Sequence, residues 1–227
     1  MNFQNLLKAW RGEGLLSQTL DDFVEMLKNA HWMYERAATS LWEETDVDEN
    51  KQSIRERDLL VNKAERSIRK KIIRHLAINP RLDTNQSLIL MSVVKDAERL
   101  GDYAKNLIEV SEYHTTYQDQ NDLVPKFKNI QTSIQWMFQK VGHAFQEADE
   151  EEAHAIISKM AQVTEDCDKL IEEILNTEGL SVRQAVSYAL LARYYKRFAA
   201  HLGNIATSLV MPTHKLDYFD EDDIGKK

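Results

Sequence analysis

From Ser17 to Met211 apolar side chains recur at steps of three and four, and the chain supplies little to interrupt them: seven glycines and three prolines in 227 residues. A period near 3.6 lays such residues along one face of a helix, whereas a sheet protein of this size needs alternation and many more turn formers. The expected fold is therefore all-α, built from six long helices. The first spans about 17–43, with Leu20, Val24, Leu27, Ala30, Tyr34, Ala37 and Leu41 on one face. The acidic run TDVDEN offers turn and capping residues, and a charged second helix follows over about 51–77 with Val61, Ala64, Ile68, Ile72 and Leu76 inward.

Pro80 disfavours helix at Asn79, and Asp83 or Thr84 can cap a third helix that reaches about Glu112. Its stripe, Leu90, Val94, Ala97, Gly101, Ala104 and Ile108, has small residues in the middle, which predicts close helix approach. The polar stretch EYHTTYQDQNDLVP loses the period and marks a linker at 113–124. The pattern then restarts. Phe127, Ile130, Ile134, Met137, Val141 and Phe145 predict a fourth helix, about 152–175 a fifth, and about 182–210 a sixth. DAERLGDYAKNLIEV aligns with YYKRFAAHLGNIATS, Arg99 over Arg197 and Asn106 over Asn204, so the chain reads as one three-helix unit (17–112) repeated as a second (125–211). An N-terminal arm, 1–16, and an acidic tail, 212–227, flank them.

The 29 Lys and Arg against 37 Asp and Glu leave a formal charge of −8, the wrong sign for a surface that must displace counterions from a nucleic-acid backbone. Nucleic acid is thereby excluded as an expected partner. Cys167 is the single cysteine, so no internal disulfide or thiolate metal site is available, and a reducing cytoplasm fits. No window approaches the apolar run of about 20 residues that spans a bilayer, and the N-terminus lacks the apolar core of a signal peptide. An apolar fraction of 43% is enough to form real cores.

Chemistry concentrates on the second and third helices. Glu98 and Asp102 lie one turn apart on the same side, where two carboxylates repel unless a cation or proton compensates. On the second helix Asp58 and Glu65 share the face of Val61, Ile68 and Ile72, an inward position that acids rarely hold without a partner. An antiparallel hairpin turning near residue 81 puts Glu98 level with Glu65, and Asp102 between Asn62 and Asp58. Such oxygen-rich sets suit Mg, Ca, Mn or Fe, with Zn the less natural occupant. The alternative is ordinary ion pairing with Arg66, Lys95, Arg99 or Lys105. Neither inward Glu-x-x-His pairs of a di-iron bundle nor a nucleophile elbow or phosphate-binding glycine loop occurs. No catalytic residue is expected. His31 reads as a packed histidine, Trp32 and Trp136 as core anchors, and Trp10 as part of an arm packing onto the body or another subunit.

The segment SLILMSVVKDAERLGDYAKNLIEV resembles the third helix of a PhoU repeat, whose hallmark is close to D-L-E-R-I-G-D-x-A-x-N-I. Glu98, Arg99, Gly101, Asp102, Ala104 and Asn106 stand at the matching places. RDLLVNKAERSIRKKIIRHL is similar to the family's second helix, and YALLARYYKRFAAHLGNIATSLV to the third helix of its second repeat. The resemblance implies two tandem antiparallel three-helix bundles, with acidic motifs that hold multinuclear metal clusters in some members. By position Glu98 and Asp102 would be such ligands, with Asp58, Asn62 and Glu65 opposite. In the second repeat Lys196 and Ala200 replace the motif, so no equivalent site is expected there, with Asp166 and Asp168 the nearest acids. The implied function is non-enzymatic: a cytoplasmic adaptor that regulates phosphate uptake and starvation signalling through a phosphate transporter or a sensor histidine kinase. A homodimer is the expected assembly. The rival readings are an accessory protein of another ion transporter and a metal-dependent enzyme using the acidic groove.

Overall fold

The computed structural model describes residues 15–78 and 84–213, together with Leu216. Among these residues six α-helices alternate in direction: α1 (Leu15–Trp42), α2 (Val47–Ile78), α3 (Thr84–Tyr113), α4 (Leu123–Glu147), α5 (Glu150–Asn176) and α6 (Val182–Val210). A short 3-10 turn at Thr116–Gln118 lies between α3 and α4, and no strand is present among the described residues. Trp10, Pro80 and most of the acidic tail fall outside the described residues.

Acidic residues cap α2 and α5, which start a few residues before their apolar stripes. Asp46 accepts from the Glu49 amide through Oδ1 at 3.0 Å, so α2 begins at Val47, with Asp48 and Glu49 favourably placed in its first turn. Asp149 accepts from the Glu152 amide at 2.9 Å, and Glu150, Glu151 and Glu152 fill the first turn of α5. The whole α4–α5 turn is then Ala148 and Asp149, with Ala148 in the left-handed region at φ 52°. Ser181 and Gln184 form a reciprocal capping box that opens α6.

α1, α2 and α3 pack on one another, and α4, α5 and α6 do the same, giving two tandem three-helix bundles. The bundles are joined side by side through α1 against α4 and α3 against α6, and one continuous core runs through both. At the junction Tyr34, Phe138 and Phe198 meet with ring centroids 4.8–6.0 Å apart. Asp96 of α3, 1% exposed, accepts there from His201 Nδ1 at 2.8 Å and Asn204 Nδ2 at 3.1 Å, both on α6. Trp32 and Trp136 are half-buried against this core. His31 stacks on Phe138 at 4.9 Å, and burial lowers its pKa against the opposing pull of Glu35.

The close approach expected at Gly101 is looser than its sequence context implies. A Cβ placed there would meet Met33, Asp58 and Val61 at 3.5–3.6 Å, ordinary van der Waals contact. The tighter glycine is Gly203, where a Cβ would fall 1.9 Å from Met160 Sδ and the thioether would have to move.

Candidate functional site

The α2–α3 hairpin sets Asp58, Asn62 and Glu65 across from Glu98 and Asp102. Asp58 is held inside by its place on the α2 stripe between Ile54 and Val61, both fully buried. A buried carboxylate demands compensation, and Lys105, one turn beyond Asp102 on α3, provides it. Its ammonium donates to Asp58 Oδ2 at 2.9 Å and contacts Asp102 Oδ1 at 2.8 Å, tying the two helices together. Burial works against the charge on Lys105, yet the hydrogen bonds to Asp102 and Asp58 outweigh it and its pKa lies above the ordinary lysine value.

The remaining acids are engaged less evenly. Arg99 Nη1 donates to Asp102 Oδ2 at 3.0 Å, and Asn62 Nδ2 donates to Asp58 Oδ2 at 3.0 Å. Glu65 pairs with Arg69 at 2.8 Å, one turn along its own helix. Glu98 has only a 3.8 Å approach from Arg99 Nε. Burial raises its pKa, and the Asp102 and Glu65 carboxylates add to the shift while Arg99 and Lys105 oppose it. Asp58 Oδ1 is buried with no hydrogen-bond partner and faces Gly101. Beside these acids opens a groove of about 500 Å³ lined by Lys51, Arg55, Arg99, Asp102, Lys105 and Glu109.

Hairpin geometry thus brings Asp58 and Asp102 to a common cation, and Glu98 within electrostatic reach of Asp102 and Glu65. A hard divalent ion needs about six or more oxygens at roughly 2.0–2.6 Å. Here the two central carboxylates are spread around an ammonium, and Asp102 and Glu65 each carry an arginine as well. The residues as arranged do not fit a metal cluster. Among the described residues, the one group of three His, Cys, Asp or Glu side chains with ligand atoms within 4.8 Å of one another is His143, Asp149 and Glu152. Those groups already serve each other: Glu152 accepts from His143 Nδ1 at 2.8 Å and contacts Lys140 at 3.0 Å, while Asp149 caps α5.

The second bundle answers the first with the charges exchanged. Lys196, aligned with Glu98, donates to both oxygens of Asp168 on α5, at 2.6 and 2.8 Å. Asp166 lines a smaller groove, about 220 Å³, between α4 and α5. A further polar centre lies where the linker crosses α6. Asp119 accepts from Gln184 Nε2 at 2.9 Å, from Tyr188 and from His114, with His114 Nε2 at 2.7 Å. Burial would raise the Asp119 pKa, but these donors hold it below the usual carboxylate value. The alternation of His114, Asp119 and Gln184 has no helical period, and only their shared polarity marked them in the sequence. Asp96 was equally hidden, since its partners His201 and Asn204 lie more than a hundred residues away on α6.

Comparison with known proteins bears on the fold and on both bundles. The family description "PhoU domain" matches residues 23–111 and again 128–209, one match per bundle. The crystal structure of the phosphate transport system regulatory protein PhoU from Streptococcus pneumoniae is similar at a TM-score of 0.76 and 21% identity, over 89% of this chain and 95% of that one. The crystal structure of PhoU from Pseudomonas aeruginosa gives a TM-score of 0.77 at 20% identity, over 86% of this chain and 95% of that one. The search of curated proteins gave no match. With both bundles matched, and with the two solved structures sharing their architecture, the chain belongs to the PhoU family.

Proposed function

We propose that this chain regulates phosphate transport and the phosphate-starvation response as an adaptor at the cytoplasmic face of the membrane, engaging a phosphate transporter or its sensor histidine kinase. The observation that carries the reading is the PhoU domain match over both bundles. The similar Streptococcus pneumoniae structure, a phosphate transport system regulatory protein, supports the same role.

A surface for partner contact supports the adaptor part. Tyr113, Val182, Val186 and Leu190 line one groove of about 620 Å³ where α3 ends and α6 begins, and Val182 is 82% exposed. No helix among the described residues is long and apolar enough to cross a membrane, so contact with a transporter runs through such surfaces. The regulator binds and shifts the state of its partner; the reading assigns it no covalent step.

Crosslinking in cells, followed by purification of the tagged chain, tests the reading. Phosphate-transporter subunits or the phosphate sensor kinase are expected among the crosslinked partners, and substituting Val186→Asp should deplete them. Partners confined to a different ion transporter would replace this reading with that of its accessory protein.

A further inference from the structure

The α2–α3 groove carries the acidic motif, yet its centre is occupied by a side chain of the protein itself. Lys105 Nζ lies 2.9 Å from Asp58 Oδ2 and 2.8 Å from Asp102 Oδ1. We propose that Lys105 is a built-in counter-cation whose ammonium holds the position between Asp58 and Asp102 that a divalent ion would need, closing the groove to metal until that charge is removed.

Three features of the chain support this. Coordination would require the two carboxylates to draw together on an ion at roughly 2.0–2.6 Å, which the interposed ammonium prevents both sterically and by like-charge repulsion. The second oxygen of Asp102 is taken by Arg99 at 3.0 Å, and Asp58 Oδ2 also accepts from Asn62, so a metal would have to undo several bonds at once. Asp58 Oδ1 and Glu98 remain for a metal, too few for a hard cation.

The second bundle carries a simpler and more exposed lysine pair. Lys196 of α6 grips Asp168 of α5 through both carboxylate oxygens, again joining the third helix of a bundle to its second. Aligned with α3, Lys196 stands at Glu98 and Gly203 at Lys105, so the two bundles place their lysines two helical turns apart on the same helix face. Asp168 is 60% exposed where Asp58 is 11%, so the second pair is a surface contact that repeats the helix pairing, and the burial that makes a counter-cation necessary is found in the first bundle.

The test uses the full-length chain as wild type, Lys105→Met, Asp102→Asn and the Lys105→Met/Asp102→Asn double variant. Each is stripped with a chelator and titrated with Mn(II), and bound metal is read by electron paramagnetic resonance and elemental analysis. Wild type is expected to show no Mn(II) that depends on Asp102, whereas Lys105→Met gains about one Mn(II) per chain that the added Asp102→Asn removes. Mn(II) held equally by wild type and Asp102→Asn sits elsewhere and agrees with a closed groove. Wild-type binding abolished by Asp102→Asn overturns the proposal, as does a folded Lys105→Met chain that binds no more than wild type. Should Lys105→Met not fold by circular dichroism, Lys105→Gln takes its place, and the wild-type comparison decides by itself whether the groove is closed.

Discussion

Replacing Gly203 by alanine inserts one methyl group where α6 lies against Met160 of α5. The new Cβ would lie 1.9 Å from Met160 Sδ, 2.8 Å from its Cγ and 3.2 Å from its Cβ. The thioether can rotate away, but the Met160 Cβ is fixed to the α5 backbone, and the side chain, 6% exposed, has a filled core around it. Overpacking of this kind costs about 1–3 kcal/mol, offset by the roughly 1 kcal/mol that alanine gains over glycine inside a helix. A net loss of about 1 kcal/mol is expected, a fall in Tm of about 2–4 °C for a chain of this length. Gly101→Ala should shift in the opposite direction, because its nearest contacts of 3.5–3.6 Å leave room for the methyl and only the helix-propensity gain remains. Urea unfolding followed by circular dichroism measures both variants. A double-mutant cycle isolates the clash: Met160→Ala removes the Sδ and Cγ contacts at 1.9 and 2.8 Å and leaves only the Cβ at 3.2 Å, so in that background the cost of Gly203→Ala should be much smaller. Equal shifts for the two glycines, or a cost at Gly203 that is undiminished in the Met160→Ala background, would refute the packing argument.

Two further outcomes follow from buried polar groups. The Asp119 carboxylate, held below its usual pKa by Tyr188, His114 and Gln184, lends stability that is complete above the unfolded value of about 3.9 and is lost as the pH falls through the lower folded value. Acid titration of stability should therefore be shallower for Asp119→Asn than for wild type, and identical curves would remove Asp119 from the account. Cys167 is 1% exposed, and burial, with Asp168 adding to it and Lys196 opposing, pushes its thiol up to about 12. A disulfide reagent at mildly alkaline pH should label it only after unfolding; rapid labelling of the folded chain would show that α5 opens.

The architecture was legible because one physical rule, burial of an apolar stripe at helical spacing, acts locally and repeats. Reflection of α2 onto α3 about residue 81 likewise needs only chain geometry; it set Asp102 between Asn62 and Asp58, and Lys105 links Asp102 to Asp58. Choosing among cations was harder. Arg66, Lys95, Arg99 and Lys105 all stand within a turn or two of the acids, and the rotation of α2 against α3 decides that Lys105 reaches Asp58 while Glu65 turns to Arg69. The same limit applies to Gly101 and Gly203. Gly101 was singled out by its small-residue stripe and Gly203 was not, and only the position of Met160 on the neighbouring helix sets Gly203 apart. The joining of the two bundles through Asp96, His201 and Asn204 depends on contacts a hundred residues apart, which no local pattern encodes.

The regulatory reading meets its most direct test in the initial rate of radiolabelled phosphate uptake by phosphate-replete cells lacking this chain, with and without a plasmid copy. Faster uptake on deletion, returned to the parental rate by the wild-type copy, is the predicted result. Uptake that is the same in the deletion, parental and complemented strains would contradict a role in phosphate transport.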